Sequence, residues 1–408
     1  MQAINRFTIT LLCLLLFTHA NAATLDSKLD GVWQGTMSSK QSGNKKIMAI
    51  LSYDSKSGVT NGNYYTLPDG NEMALSGSVN LAELIGGDSS HPATKTAFEW
   101  QFTSVAKQSI SANRINTDTK AVELIHLIPA KQVRGKAPQY SIYNDISNGF
   151  TYDQPRAKAY LNHAKINNLH FEEKSFQTLS ITPTTSKIST IQLTSDTQNS
   201  AIAAINRKLY HNLNDSIYDA IGCSVMYGDI EQSTKITFWS NNWLSLQTNS
   251  FSYCGGAHPN FSVDHQIYNL STGKNENLQS WFKNKSTRSK LNLAICKEEL
   301  ANPCKSLISE EHFDFASETC NAYRKEKKHA NQKEITKSCL EDITLGVPYG
   351  FGYGLGLSSK GMIFRTSADG ASGSGNYSIL MPYQKILPFL NQTGKAHVQA
   401  IINAQPQN

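Results

Sequence analysis

Short strand-like segments separated by turn residues fill the first part of the chain, and this alternation restricts its fold more than any other feature. The segment Pro68-Asp69-Gly70-Asn71 is a strong turn signal. Further turn signals recur about every ten to fifteen residues up to residue 172. This spacing predicts an antiparallel sheet that curls into a barrel or half-barrel.

The pattern changes after residue 172 to one in which helices and strands alternate. Residues 198–214 carry Ile202, Ile205, Leu209 and Leu213 at helical spacing, without Gly or Pro between them. Strand-like segments follow at 223–227, 234–240, 243–248 and 261–269. We therefore predict the α+β class, with a β-rich domain over 23–172 and an α+β domain over 173–408. The second domain is expected to contain an antiparallel sheet and packed helices.

The first 22 residues have the three-part pattern of a secretory signal peptide. Arg6 supplies the positive charge, residues 7–17 form an apolar run, and Ala20-Asn21-Ala22 offers small residues for cleavage. The apolar run is too short to span a bilayer, and no later stretch approaches the ~20 apolar residues of a membrane helix. The mature protein is expected to begin near Ala23 and to be periplasmic or secreted.

Composition and charge exclude several other classes of protein. The chain has 408 residues, 39% of them hydrophobic, which is enough apolar material for a buried core. Its formal net charge of +6 is mild for this length, and it carries no nucleic-acid-binding motif. We therefore expect a globular protein without a nucleic-acid partner.

Six cysteines remain after the signal segment, and all of them lie in the second half of the chain. An even number in an exported protein predicts three disulfides. No two are separated by the two to four residues typical of a zinc site, so we expect no metal. We predict that Cys223 bonds Cys254, because both lie in strand-like segments. The other four would staple a helical elaboration at 291–345: Cys296, Cys304, Cys320 and Cys339.

A series of short motifs follows one another in the second domain. The motifs are Ile205-Asn206, Gly255-Gly256-Ala257-His258, Thr272-Gly273-Lys274, Trp281-Phe282 and Pro382-Tyr383. Their order resembles a widespread family of exported bacterial domains of mostly unknown function. Members form the extracellular part of lysozyme-sensing anti-sigma factors and the N-terminal region of some peptidoglycan deacetylases. The resemblance covers roughly residues 176–400.

This resemblance implies a binding protein whose ligand is a lysozyme-like protein or cell-wall glycan. The deacetylase activity of some relatives belongs to a separate catalytic domain, which has no equivalent in this chain. The sequence also lacks a Gly-x-Ser-x-Gly elbow, a His-Glu-x-x-His pair and a phosphate-binding loop. We therefore expect no cofactor and no catalysis. The alternative is an enzyme acting on envelope polysaccharide or peptidoglycan, with His258 as its general base.

Four residues are the candidates for ligand binding. His258 follows Gly255-Gly256-Ala257 in a tight turn, where its imidazole either has an architectural role through hydrogen bonds to the backbone or is presented to a ligand. Tyr349, Phe351 and Tyr353 alternate with glycines over 349–357. As a strand, this run places its large side chains on one face and its glycines on the other. It predicts either a core strand with one bare side or the floor of a groove for a glycan or peptide.

Overall fold

The computed structural model describes most of the chain in two compact units. The described residues up to 163 and those of 218–225 form the barrel unit, and the described residues of 164–217 and 228–404 form the sheet unit. The predicted signal peptide lies outside the described residues. The described residues are 27–39, 43–67, 72–85, 94–131, 146–195, 199–225, 228–255, 258–283, 287–301, 354–366 and 377–404.

Eight strands of the barrel unit form a closed barrel in sequence order. Each strand pairs antiparallel with the next, and β1 pairs antiparallel with β8 to close the barrel. This confirms the barrel that the turn spacing predicts. The strands are β1 (Gly31–Ser39), β2 (Gly43–Asp54), β3 (Val59–Leu67), β4 (Glu72–Gly77), β5 (Leu81–Ile85), β6 (Thr94–Ala106), β7 (Ser109–Asn116) and β8 (Val122–Pro129).

Side chains fill the interior of the barrel because alternate residues of each strand point inward. In β8, Ile125 and Leu127 are buried, whereas Leu124 and Ile128 are exposed. A 3₁₀ turn at Ser27–Leu29 precedes β1 and contributes a buried leucine to the same core. Other members of this core are Trp33, Met37, Ile47, Leu51, Leu75, Leu81, Trp100 and Phe102.

A buried carboxylate, Glu83 of β5, is held inside the barrel by three donor side chains. The Tyr64 hydroxyl donates to Glu83 Oε1 at 2.8 Å, and Trp100 Nε1 donates to the same oxygen at 3.2 Å. Arg114 binds both carboxylate oxygens, at 2.5 and 2.9 Å, and also pairs with Glu123. The charge of Glu83 is therefore compensated by one guanidinium and two neutral donors.

We expect Glu83→Ala to destabilise the protein by about 3–5 kcal/mol, because it removes one partner of a buried ion pair. Urea unfolding followed by tryptophan fluorescence measures the change. Lys187→Ala is the matched control, since Lys187 pairs with Glu231 on the surface and is 73% exposed. Its unfolding midpoint should change little. Equal effects of the two substitutions would contradict this account of the barrel interior.

A second buried ionic group holds helix α1 (Ile146–Asn162) against the outer surface of the barrel. The Arg156 guanidinium is fully buried, and its Nη2 lies 2.8 Å from both Glu72 Oε2 and Asp153 Oδ1. The Tyr65 hydroxyl donates to the carbonyl oxygen of Tyr152 at 2.5 Å. Strand β4 supplies Glu72 and α1 supplies Asp153, so the arginine joins the helix to the barrel.

The pH dependence of stability should report on Asp153. Burial raises the pKa of its carboxyl to about 6, the charge of Glu72 adds to this rise, and Arg156 opposes it. The folded pKa exceeds the unfolded value of about 3.9, so the folded state holds the proton more tightly. The contribution of Asp153 to stability is therefore full below about pH 4 and is lost as the pH rises through about 6.

Asp153→Asn should remove this decline, which unfolding free energies measured between pH 4 and 7 would show. Asp54→Asn is a control of opposite sign. A hydrogen bond from Ser57 and the backbone N–H of Lys56 lower the pKa of Asp54. The stabilising contribution of Asp54 is therefore lost only as the pH falls below about 4, so Asp54→Asn should leave the profile between pH 4 and 7 unchanged. A wild type and an Asp153→Asn variant with parallel pH profiles would contradict the prediction.

Six strands of the sheet unit form one sheet in the order β14-β13-β12-β11-β10-β9. Four of the five pairs are antiparallel, but β11 and β12 are parallel, so the predicted antiparallel sheet is in fact mixed. Helix α2 (Ser200–Val225) joins these two strands, and parallel strands need such a crossover. The strands are β9 (Lys165–Phe171), β10 (Lys174–Ile181), β11 (Lys187–Leu193), β12 (Asp229–Trp239), β13 (Trp243–Tyr253) and β14 (Asn260–Asn269).

The predicted strand at 223–227 is wrong, because helix α2 continues through Val225. Its apolar spacing extends beyond residue 214, with Ile217 and Ile221 both fully buried. Among the described helices, none is long and apolar enough to cross a membrane.

The two faces of the six-stranded sheet belong to different cores. Ile205 and Leu209 of α2 pack in one core with Leu244 and Leu246 of β13. The other core contains Trp243 of β13 and the elements that follow β14. These are α3 (Arg288–Ala301), β15 (Leu355–Ser358), β16 (Gly361–Thr366), β17 (Tyr377–Met381), α4 (Tyr383–Ile386), α5 (Gln392–Asn403) and 3₁₀ turns at Leu278–Trp281 and Leu387–Phe389.

The domain division at 172/173 stays a prediction. It falls in the turn between β9 and β10, where Glu172 has a φ of +54°. Because β9 and β10 pair along seven residues, a fragment that is meant to keep the sheet should begin at Ala164. Of the predicted elaboration at 291–345, residues 291–301 lie in α3 and the rest lies outside the described residues.

Candidate ligand-binding site

Three partly exposed aromatic residues share one face at the end of the β13–β14 hairpin. Phe251 of β13 lies opposite Phe261 of β14, and their ring centroids are 4.9 Å apart. Tyr253 follows two residues later on the same face of β13 and is 39% exposed. We call these three residues the aromatic hairpin. The sequence predictions missed Phe251 and Phe261, although the spacing Phe251-x-Tyr253 in a strand signals a shared face.

Amide side chains continue this face along β13 toward the core. Gln247 Nε2 donates to Asn249 Oδ1 at 2.7 Å. Both residues lie on the same side of the strand as Phe251, because side chains alternate. Gln247 is buried, whereas Asn249 is partly exposed, so Asn249 is the amide that lies beside the aromatic rings at the surface. Strand β13 is paired on both sides along this stretch.

An ion pair borders the aromatic hairpin on the neighbouring strands. Glu231 of β12 lies opposite Phe251, and Lys187 of β11 donates to Glu231 at 2.8 Å. Both side chains are more than half exposed. Aromatic, amide and charged groups thus lie side by side on this part of the sheet.

His258, the first candidate from the sequence, lies in the connection between β13 and β14. Its side chain is exposed, and the connection contains Gly255, whose φ of +83° favours glycine. The structure therefore brings His258 to the same end of the hairpin as Tyr253. Within the described residues, no group of three or more His, Cys, Asp or Glu side chains is placed to hold a metal ion.

The other three candidates, Tyr349, Phe351 and Tyr353, lie outside the described residues. The end of their glycine-rich run is described as β15, where Leu355 and Leu357 are buried. Gly356 between them lies against the imidazole of His265 in β14. A Cβ at this position would lie 2.5 Å from His265 Nδ1. The described end of the run is thus a core strand whose bare side accommodates a ring.

Gly356→Val should destabilise the protein by about 1–3 kcal/mol, because the new side chain would overlap the imidazole. His265→Ala in the same chain should recover part of this loss by removing the overlapping ring. Denaturant unfolding of both single variants and the double variant gives the coupling energy. Gly222→Ala is the control, since nothing lies within 4 Å of a Cβ there. Additive effects at 356 and 265 would show that the two positions do not compete for space.

Two of the six predicted disulfide cysteines are described as bonded. Cys223 and Cys254 are each disulfide-bonded, and their pairing with each other stays a prediction. Cys223 lies in helix α2 and not in a strand, so the reason given for that pairing is wrong. Cys296 lies in α3, whereas Cys304, Cys320 and Cys339 are outside the described residues.

Comparison with known proteins finds similarity to several solved structures, including two DUF3298 family proteins. No family model and no curated protein matches the chain. A member of the DUF3298 family from Bacteroides fragilis is 14% identical, with a TM-score of 0.35, and covers 59% of this chain and 95% of its own. A DUF3298 family protein from Pseudomonas aeruginosa is 12% identical, with a TM-score of 0.32, and covers 57% of this chain and 96% of its own.

Proposed function

We propose that this protein is an exported, non-catalytic binding protein of the bacterial envelope, and that its ligand is cell-wall glycan. The observation that carries the proposal is the aromatic hairpin beside the partly exposed amide of Asn249. In this proposal sugar rings stack on Phe251, Tyr253 and Phe261. Hydroxyl and acetamido groups of the glycan then hydrogen-bond the Asn249 side chain, which the buried Gln247 holds by its hydrogen bond.

The physical basis is a rigid surface that offers both kinds of contact. Aromatic side chains provide large apolar area with few rotatable bonds, so ordering them on binding costs little entropy. Backbone pairing on both sides of β13 holds these side chains in place before the ligand arrives. His258 at the same end of the hairpin is proposed as a further contact. Tyr349, Phe351 and Tyr353 are proposed on the sequence pattern alone.

Export is supported by two independent features of the chain. The first 22 residues have the pattern of a cleavable signal peptide. Cys223 and Cys254 are disulfide-bonded, and such bonds persist in oxidising compartments such as the periplasm or the medium. We therefore propose that the protein is periplasmic or secreted.

Tyr253→Ala and Phe251→Ala should each weaken binding to purified peptidoglycan by about tenfold, because each removes one stacking surface. Tenfold corresponds to ~1.4 kcal/mol. Co-sedimentation with insoluble peptidoglycan measures the affinity. Tyr210→Ala is the matched control, because Tyr210 is an exposed tyrosine (53%) on helix α2. It should bind as the wild type does.

Two further measurements distinguish glycan binding from binding of a protein ligand and from enzymatic activity. A wild type that fails to sediment with peptidoglycan but is retained on immobilised lysozyme would replace the glycan by a protein ligand. A soluble product released from peptidoglycan by the wild type and not by His258→Ala would show an enzyme with His258 as a base. If Tyr253→Ala and Tyr210→Ala bind peptidoglycan equally well, the aromatic hairpin is not the site.

A further inference from the structure

Strand β9 is the outermost strand of the six-stranded sheet, and one of its edges has no strand beside it in the described part of the chain. It pairs with β10 along all seven residues without a bulge. Residues 165–170 are all exposed. The outer backbone N–H and C=O groups of such a strand are a template for another strand.

The side chains of β9 leave this edge accessible on both faces. Ile166 is 56% exposed and Leu169 is 43% exposed, and the two point to opposite faces of the sheet. Natural edge strands are usually protected by proline, by a bulge or by charges along the strand. Strand β9 has neither proline nor bulge, and its one fully charged side chain is Lys165 at its start.

We propose that β9 pairs antiparallel with β9 of a second copy of this chain and forms a two-fold dimer. Charge decides the direction. Lys165 begins the strand, and the acidic pair Glu172–Glu173 follows its end. Antiparallel pairing brings Lys165 of one copy beside the acidic end of the other, whereas parallel pairing would place lysine beside lysine. Cross-strand pairs of opposite charge are favourable, and like charges are unfavourable.

The register follows from the two-fold symmetry. Directly opposite residues of an antiparallel pair point to the same face, so the symmetry axis must pass beside one residue and its own copy. An axis at Leu169 places Leu169 opposite Leu169 and covers this exposed leucine. The same register brings Lys165 next to the turn that carries Glu172 and Glu173 in the second copy.

The dimer would be a continuous sheet of twelve strands with a β13–β14 hairpin near each outer edge. At ~4.8 Å per strand, the two hairpins would lie about 45–50 Å apart. A repeating polymer long enough to reach both hairpins would then be bound with avidity. This consequence rests on the proposed function, whereas the strand pairing itself does not.

Sedimentation velocity of the full chain between about 1 and 200 µM tests the pairing. A contact along one strand edge is small, so we expect a reversible dimer that forms with rising concentration. Leu169→Lys should abolish it, because two lysines would face each other at the axis. Lys165→Glu should weaken the dimer by about tenfold, and Lys165→Glu combined with Glu173→Lys should restore it.

Leu124→Lys is the matched control, since Leu124 is an exposed leucine (59%) of barrel strand β8. The Leu124→Lys variant should dimerise over the same concentration range as the wild type. Far-UV circular dichroism confirms that each variant is folded. A wild type that stays monomeric at 200 µM would overturn the proposal. So would a dimer that Leu169→Lys does not weaken, or a Lys165→Glu/Glu173→Lys double variant whose dimerisation is no stronger than that of Lys165→Glu alone. Peptidoglycan binding by the monomeric Leu169→Lys variant is measured separately, so loss of the dimer and loss of the ligand site are distinguishable.

Discussion

The register of strand β13 is the constraint on which the sheet unit depends. Leu244 and Leu246 enter the core that contains α2, whereas Trp243 enters the core on the opposite side of the sheet. The same alternation continues beyond both cores and sets Phe251 and Tyr253 on one face. A shift of one residue would exchange the faces of every side chain in the strand. Burial at one end of β13 therefore decides which side chains are partly exposed at its other end.

The barrel interior and the face of the six-stranded sheet differ in how accessible their side chains are. An eight-stranded barrel is just wide enough for side chains to fill it, and here Trp33, Trp100 and Phe102 pack inside it with Glu83 bound by Arg114. A ligand in this interior would have to displace packed rings and break a buried ion pair. The sheet unit instead leaves Phe251, Tyr253, Phe261 and the amide of Asn249 partly exposed. For this reason the candidate site lies on the sheet and not in the barrel.

Much of the fold could be predicted because it depends on local periodicity. Alternation and turns predicted the barrel, and the spacing of Ile202, Ile205 and Leu209 predicted helix α2. The end of that helix was missed because residues 223–227 resemble a strand when read alone. In the structure Ile217 and Ile221 are buried at helical spacing, and the helix continues through Val225. The parallel pairing of β11 with β12 is a long-range contact, and no local pattern encodes it.

By itself the sequence determined most of the classes of element, the cysteines available for disulfides and the connection that carries His258, and it predicts an export signal. These features depend on neighbouring residues, whose spacing can be read along the chain. Only the tertiary structure decided that Phe251, Tyr253 and Phe261 share one partly exposed face, and that β9 forms the edge of the sheet. Both outcomes depend on which strands pair and which faces are covered, because the order of strands in a sheet follows from packing between distant segments.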